Sequence, residues 1–200
     1  MATIRYKDRS YGNRGMALED YIRFANDRYK HAGVAVISKQ ATEFKPLRDH
    51  TGRICNAKVE EKATVDFLGR YKRHPIAIEA KHTSGDAIRF DEVQEHQADF
   101  MDDFTVEPGT IGLVVVSFGM KRFFAIPWSF WKAAYNARVR PGSSRTAPAA
   151  VEGYGVSWTI PPKFSVRMEE IPAQFEVPDY DPNYGLGYLI NVERYIQPSE

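Results

Sequence analysis

Apolar residues recur along this chain with two different periods, and the changes of period divide it into elements. From residue 16 to 31, Leu18, Ile22, Ala25 and Tyr29 stand at helical spacing, so one face of a helix packs on a core. Gly33 permits a C-terminal stop, and Val34-Ala35-Val36-Ile37 reads as a strand. Residues 39–62 keep no clear period; they read as an extended hairpin with a turn at His50-Thr51-Gly52-Arg53. Residues 64–81 are two short apolar runs around a basic turn, which predicts a β-hairpin with a longer loop. Alternation puts Thr64, Asp66 and Leu68 on one face of its first strand. In its second strand Ile76 and Ile78 share one face, while Ala77, Glu79 and Lys81 share the other.

A helix follows at about 91–104, with Asp91 and Glu92 suited to its start and Val93, Phe100, Met101 and Phe104 as its apolar stripe. Gln97 falls on the same stripe, and a polar side chain aimed inward needs a partner. The run Ile111-Gly112-Leu113-Val114-Val115-Val116 predicts a central strand covered on both faces, with Lys121–Ile126 as its partner. Pro127 then opens a helix whose Trp128, Trp131, Ala134 and Tyr135 pack inward. Residues 141–150 read as a flexible loop. Residues 151–200, rich in proline, tyrosine and acids, read as short strands or an irregular wrap over the core or a dimer partner, with partial disorder as the alternative. The predicted class is α/β: a central mixed sheet with a helix before it and one after the hairpin, and a short helical C-terminal region. The expected organisation is a basic arm over 1–15, a core over 16–140 that includes the hairpin 39–62, and an extension over 141–200.

Composition bounds this picture without deciding it. The 200 residues suit one domain with a sizeable core, at an ordinary 43% hydrophobic content. No apolar run is long enough to span a bilayer and no signal-peptide pattern is present, so no membrane partner is expected. The lone Cys55 makes no internal disulfide, fits a reducing cytoplasm and rules out a zinc ribbon. The five histidines are scattered, with no metal-binding pair. The net charge of +1 hides strong segregation. Residues 1–90 carry 18 basic and 11 acidic side chains, residues 91–110 none and 7, residues 111–167 8 and 1, and residues 168–200 1 and 7. Two basic blocks suit a polyanion, with the acidic stretches facing away or shielding them.

The candidate chemistry lies in the hairpin 64–81. A carboxylate on each of two neighbouring strands, Asp66 and Glu79, can hold one hard divalent cation such as Mg²⁺ or Mn²⁺. That cation would polarise a phosphoryl oxygen and generate a hydroxide, while Lys81, two residues beyond Glu79, would orient the water or stabilise developing charge. The spacing alone equally fits an ordinary Glu–Lys surface pair. Glu19 either complements the α-helix dipole or joins the acids. Gln97 is either a core amide or reaches the same face.

The wording Glu-Lys-Ala-Thr-Val-Asp-Phe, then Ile78-Glu79-Ala80-Lys81, then Glu95-His96-Gln97, with Tyr11-Gly12-Asn13-Arg14-Gly15-Met16-Ala17-Leu18-Glu19 at the start, resembles the RecU family of Holliday-junction resolvases. The resemblance spans roughly residues 11–130 and implies the restriction-endonuclease-like core of the PD-(D/E)XK superfamily. It also implies a metal-dependent endonuclease that cuts four-way DNA junctions symmetrically, leaving 5′-phosphate and 3′-hydroxyl ends. By this resemblance Asp66, Glu79 and the Ala80 carbonyl ligate Mg²⁺, with Mn²⁺ able to substitute, and Glu19 contributes directly or through water. Lys81 and Gln97 serve the nucleophilic water. Arg14 and Thr64 meet DNA near the cut, and Lys45, Arg48, Arg53, Lys58 and Lys62 line a projecting stalk that enters the junction. A C₂ homodimer follows from the family and from the two-fold symmetry of the substrate. Phe67 stands where the family pattern carries a tyrosine, and the C-terminal quarter departs from it, as in a phage or otherwise divergent member. Two alternatives stay open at this level: a repair or restriction nuclease of the same fold, and a non-catalytic junction-binding protein.

Overall fold

The computed structural model describes residues 14–41, 43–61, 63–138 and 148–196, with the side chains of 14–16, 43–45, 55 and 57–61 excepted. Helix α1 (Arg14–His31) buries Leu18, Ile22, Ala25 and Tyr29, the stripe its periodicity requires. It stops at Gly33, whose φ of +70° suits a residue without Cβ. The Gly33 and Val34 N–H groups donate to the Lys30 and Tyr29 carbonyls there. Strand β1 (Ala35–Lys39) follows. Strands β2 (Glu43–Arg48) and β3 (Ile54–Glu61) pair with each other and, among the described residues, with no other strand. The Asp49 carboxylate fixes their turn by accepting from the Thr51 and Arg53 N–H groups at 2.8 and 3.1 Å. The basic stretch therefore forms a hairpin outside the central sheet.

Strands β4 (Phe67–Tyr71) and β5 (His74–Thr83) form the next hairpin. Its loop is two residues, Lys72 and Arg73, rather than the longer one expected. The ladder runs on to Tyr71 opposite His74, and Lys72 takes a φ of +51° to close it. The first strand also starts later than alternation suggests, because residues 64–66 are bends. Val65 packs with Ala77, whereas Phe67 packs with Ile78 on the opposite side of the sheet. The pleat is broken between them, so Thr64 does not share a strand face with Leu68.

Strand β6 (Ala87–Arg89) leads into a 3₁₀ turn at Phe90–Glu92, and helix α2 spans Glu95–Phe104. The helix thus starts later than 91. Asp91 does not serve its N-terminus but accepts a bidentate pair from Arg89 at 2.9 and 2.8 Å. Strand β7 (Ile111–Phe118) is buried along its whole length, and β8 (Arg122–Pro127) runs directly into α3 (Trp128–Ala137). The expected short helical C-terminal region is instead mostly strand and turn. It consists of β9 (Ala149–Gly153), β10 (Val156–Ile160), β11 (Ser165–Arg167), β12 (Glu176–Val177) and the four-residue helix α4 (Glu193–Ile196), with two 3₁₀ turns.

The central sheet has the order β1-β4-β5-β7-β8-β12. Only the β5–β7 pair within it is parallel. One face carries Ala77, Val114, Val116 and Ile126 against α2, α3 and the β9–β10 hairpin, with Trp131 and Trp158 wholly buried. The other face carries Ile76, Ile78, Leu113 and Val115 against α1 and the tail residues Leu186, Tyr188, Leu189 and Val192. Each such large apolar side chain contributes about 1.5–3 kcal/mol on burial. Sequence anticipated the two covered faces of β7 and offered the core or a dimer partner as the seat of the tail; residues 177–192 cover one face of their own chain's sheet.

Gly69 lets β4 approach β1 closely: a Cβ built there would stand 2.1 Å from the Val36 carbonyl oxygen, a backbone atom that cannot swing away. Gly69→Ala is expected to cost about 3 kcal/mol and roughly 6–12 °C in Tm. Thermal unfolding followed by circular dichroism measures this.

Candidate active site

Strand β5 outruns its neighbour. β4 begins opposite Ile78, so residues Glu79–Thr83 have a backbone edge that β4 does not reach. Asp66 takes up that edge. Its Oδ2 accepts from the Ala80 N–H at 2.8 Å, while its own carbonyl accepts from the Gln40 N–H at 2.8 Å. A strand residue directs its N–H and C=O to the same side, so the Ala80 carbonyl shares the edge that Asp66 faces. The side chain of Glu79 points to the α2 face and is fully buried.

Two groups meet at Glu79. The Lys81 ammonium lies 2.6 Å from its Oε1, and the Gln97 amide donates to the same oxygen at 2.6 Å. The Lys81 ammonium also donates to Gln97 Oε1 at 3.3 Å. Gln97 is held from behind as well. Its Oε1 accepts the Gln94 N–H at 2.9 Å, closing the capping box of α2. The residue that caps the helix is therefore also the residue that grips Glu79. This is why Gln97 sits on an apolar stripe at 8% exposure without being an orphan.

The remaining oxygen, Glu79 Oε2, is buried and has no hydrogen-bond partner. Burial pushes the Glu79 carboxyl up to about 8, and the neighbouring Asp66 charge pushes in the same direction against the pull of Lys81. Asp66 is raised too, chiefly by burial, with the Ala80 N–H and Lys81 opposing and Glu19 adding to the rise. Two carboxyls sharing a half-dry site, one with an unused oxygen, form a donor set short of one positive charge. That set fits a hard divalent cation held by one or two carboxylates with the rest of its shell left to water and substrate.

Glu19 stands outside the hydrogen-bonded cluster, although its charge reaches Asp66. Its carboxylate is taken by Lys39 at 2.5 Å, and no trio of His, Cys, Asp or Glu among the described residues is arranged to hold a metal ion. Thr64 is exposed on the bend before Asp66. Arg48 and Arg53 lie at the exposed turn of the β2–β3 hairpin, where Arg48 also donates to the Gly52 carbonyl at 2.8 Å. The side chains of Arg14, Lys45 and Lys58, and the whole of residues 1–13, Lys62 and 139–147, lie outside the described residues. Lys39 is the residue that sequence reasoning missed as part of the site. It opens the basic stretch 39–62, and nothing local links it to Glu19, twenty positions earlier.

Two open hollows, of about 550 Å³ beside Arg28 and Tyr184 and about 410 Å³ beside Arg122 and Glu176, lie away from the carboxylates. The acidic centre stands instead at the β5 edge that β4 leaves unpaired. No helix among the described residues is long and apolar enough to cross a membrane.

Fold and centre together define an α/β protein with an Asp…Glu-x-Lys cluster at the open end of a mixed sheet. The family described as Recombination protein U matches residues 13–165, and the chain belongs to this RecU family. It is similar to proteins named Holliday junction resolvase RecU. The one from Geobacillus kaustophilus is 29% identical over 168 residues, 80% of this chain and 82% of that protein. The one from Staphylococcus saprophyticus is 26% identical over 136 residues, 65% of each. The one from Latilactobacillus sakei is 26% identical over 160 residues, 76% of each. The chain therefore spans between 65% and 82% of these relatives' lengths. Among solved structures it overlaps Hjc, a Holliday junction resolvase from Archaeoglobus fulgidus, at 15% identity and a TM-score of 0.35 over 76% of this chain and 86% of that one; a superposition this loose carries no functional weight.

The raised carboxyl sets the pH dependence of the metal-free protein. Glu79 titrates at about 8 when folded and near 4.5 when unfolded. Folding therefore takes up a proton between these values, and the stability this brings is full below 4.5 and lost as pH rises to about 8. With EDTA present, the Tm of the wild type is expected to fall from pH 5 to pH 8, and Glu79→Gln is expected to flatten that fall. Parallel slopes for the two proteins would count against a protonated Glu79.

Proposed function

We propose that this protein is a structure-selective endodeoxyribonuclease that resolves four-way DNA junctions by paired, metal-dependent phosphodiester hydrolysis. The observation that carries this reading is the Asp66–Glu79–Lys81–Gln97 cluster, set on a strand edge that β4 leaves unpaired in a chain of the RecU family. The names of its relatives support the substrate.

Asp66 and Glu79, with the Ala80 carbonyl, would hold a divalent cation, Mg²⁺ with Mn²⁺ able to substitute, and Glu19 would join them only through water or after leaving Lys39. When bound, the cation supplies Lewis-acid polarisation of the phosphoryl oxygen and lowers the pKa of water. The chain's own residues do the positioning. Lys81 gives two donors to Glu79 and Gln97, and its third would serve a phosphate or water at the β5 edge. There it orients the attacking water and offsets the negative charge that develops on the phosphorane oxygens. Gln97, locked by the α2 cap, donates to Glu79 and accepts from Lys81, so it fixes both side chains in their pair. In-line attack leaves 5′-phosphate and 3′-hydroxyl ends.

The β2–β3 hairpin, with Arg48 and Arg53 at its turn and Lys45, Lys58 and Lys62 along the same stretch, would follow backbone phosphates, as would Arg14 and Thr64. A homodimer presents two centres to a two-fold substrate. The arm 1–15, the core 16–140 and the segment 141–200 would divide the labour of DNA contact, chemistry and packing, in the cytoplasm.

The test is cleavage of a synthetic four-way junction beside a linear duplex of the same sequence, with Mg²⁺, with EDTA, and with Asp66→Asn. Symmetric nicking of the junction alone is expected, absent in EDTA and down roughly a thousandfold in the variant. Equal cutting of both substrates would favour a repair or restriction nuclease. Tight binding with no cutting would favour a junction-binding protein. Junction affinity is also expected to fall steeply between 50 and 200 mM salt, roughly a thousandfold or more for six phosphate contacts. A gel-shift titration at several salt concentrations checks this.

A further inference from the structure

The β2–β3 hairpin is attached to the sheet by two legs, and both legs end at the acidic centre. On the way in, Lys39, the last residue of β1, holds the Glu19 carboxylate at 2.5 Å. The next residue, Gln40, donates its N–H to the Asp66 carbonyl at 2.8 Å. On the way out, Asp66 follows the last residue of β3, Glu61, by five positions. Lys39 and Phe67 are paired across β1 and β4, so the two legs are also stitched to each other. The hairpin itself pairs with no other strand among the described residues. A force on it therefore reaches the sheet at Lys39, Gln40 and the Ala63–Asp66 bend.

We propose that Lys39 is a positioning residue that couples engagement of the hairpin to the acidic centre. It holds Glu19 in the resting chain. When the hairpin is displaced by a branched substrate, Lys39 and Gln40 move with its first leg. Glu19, still paired with Lys39, is then carried toward Asp66, and the Asp66 backbone shifts with Gln40. A linear duplex that reaches the centre without moving the hairpin leaves this pair as it stands, so branch selectivity acquires a kinetic part in addition to binding. The Glu19 charge already acts on Asp66 in the resting chain, which places the two within electrostatic reach. Lys39 is nearly half exposed, so its replacement does not open the core. The proposal rests on the junction-cleaving function given above.

The experiment compares the full-length wild type, Lys39→Gln and Lys39→Arg. With Mg²⁺, single-turnover cleavage of the junction is expected to fall about tenfold in Lys39→Gln, a size usual for coupling between sites, and to recover in Lys39→Arg. Junction Kd and its salt slope stay at the wild-type values. In EDTA, hydrogen exchange read by mass spectrometry is expected to show junction-induced changes at residues 46–56 and at 17–22 together in the wild type. In Lys39→Gln only the changes at 46–56 remain. A lower affinity with a salt slope reduced by about one would overturn the proposal, because Lys39 would then be a direct phosphate contact. Cleavage and exchange by Lys39→Gln that match the wild type would overturn it as well. A wild type that leaves the junction uncut would instead remove the function on which it rests.

Discussion

An ionised carboxylate carried into an apolar layer loses its hydration, and Glu79 is where this chain meets that constraint. The parallel pairing of β5 with β7, covered by α2 and α3 on one face, leaves the Glu79 side chain no route to water. An unpaired ion there would be too costly to keep. The response is threefold: an ammonium 2.6 Å away, an amide from a helix cap, and a carboxyl raised far enough to hold its proton near neutrality. One oxygen still stays unsatisfied. It is the oxygen that the proposed cation would take up.

The rest of the architecture serves to keep that arrangement in register. Asp66 acts as the missing end of β4, closing the β5 edge with its side chain and the β1 leg with its carbonyl. Gln97 joins helix nucleation to charge placement, so the position of α2 and the position of Lys81 are one degree of freedom. Helix α1, which carries Glu19, is pinned by the chain's other end. Tyr188 donates to Asn26 inside the core, Tyr29 donates to the Leu186 carbonyl at 3.1 Å, and Arg28 donates to the Asn183 carbonyl at 2.7 Å. These contacts come from a tail that lies beyond the family-matched residues 13–165, yet it fills one face of the central sheet.

Where local periodicity governs, the chain is readable. The α1 stripe, the wholly apolar β7 and the Ala77-Glu79-Lys81 face all follow from spacing, because each side chain's direction is set by its own backbone. Reading fails where a long-range bond overrides the local signal. Asp91 and Glu92 look like a helix start, but Arg89 claims Asp91 and the helix waits for the Gln94–Gln97 box. Thr64 looks like a strand residue, but the Gln40 and Ala80 N–H groups hold Asp66 where the pleat must break. Glu19 looks like a member of the acidic cluster, and the Lys39 that takes it comes from another element.

The sequence by itself therefore determined the α/β class and the order of most elements, since these are matters of period, composition and type, and it nominated Asp66, Glu79, Lys81 and Gln97, which the fold brings together. Only the tertiary structure decided that Glu79 is dry while Asp66 stands at an edge, that Lys39 holds Glu19, and that the tail belongs to the core. Those outcomes depend on which elements come to lie against one another. Desolvation and Coulomb forces act through space across separations that no window along the chain contains.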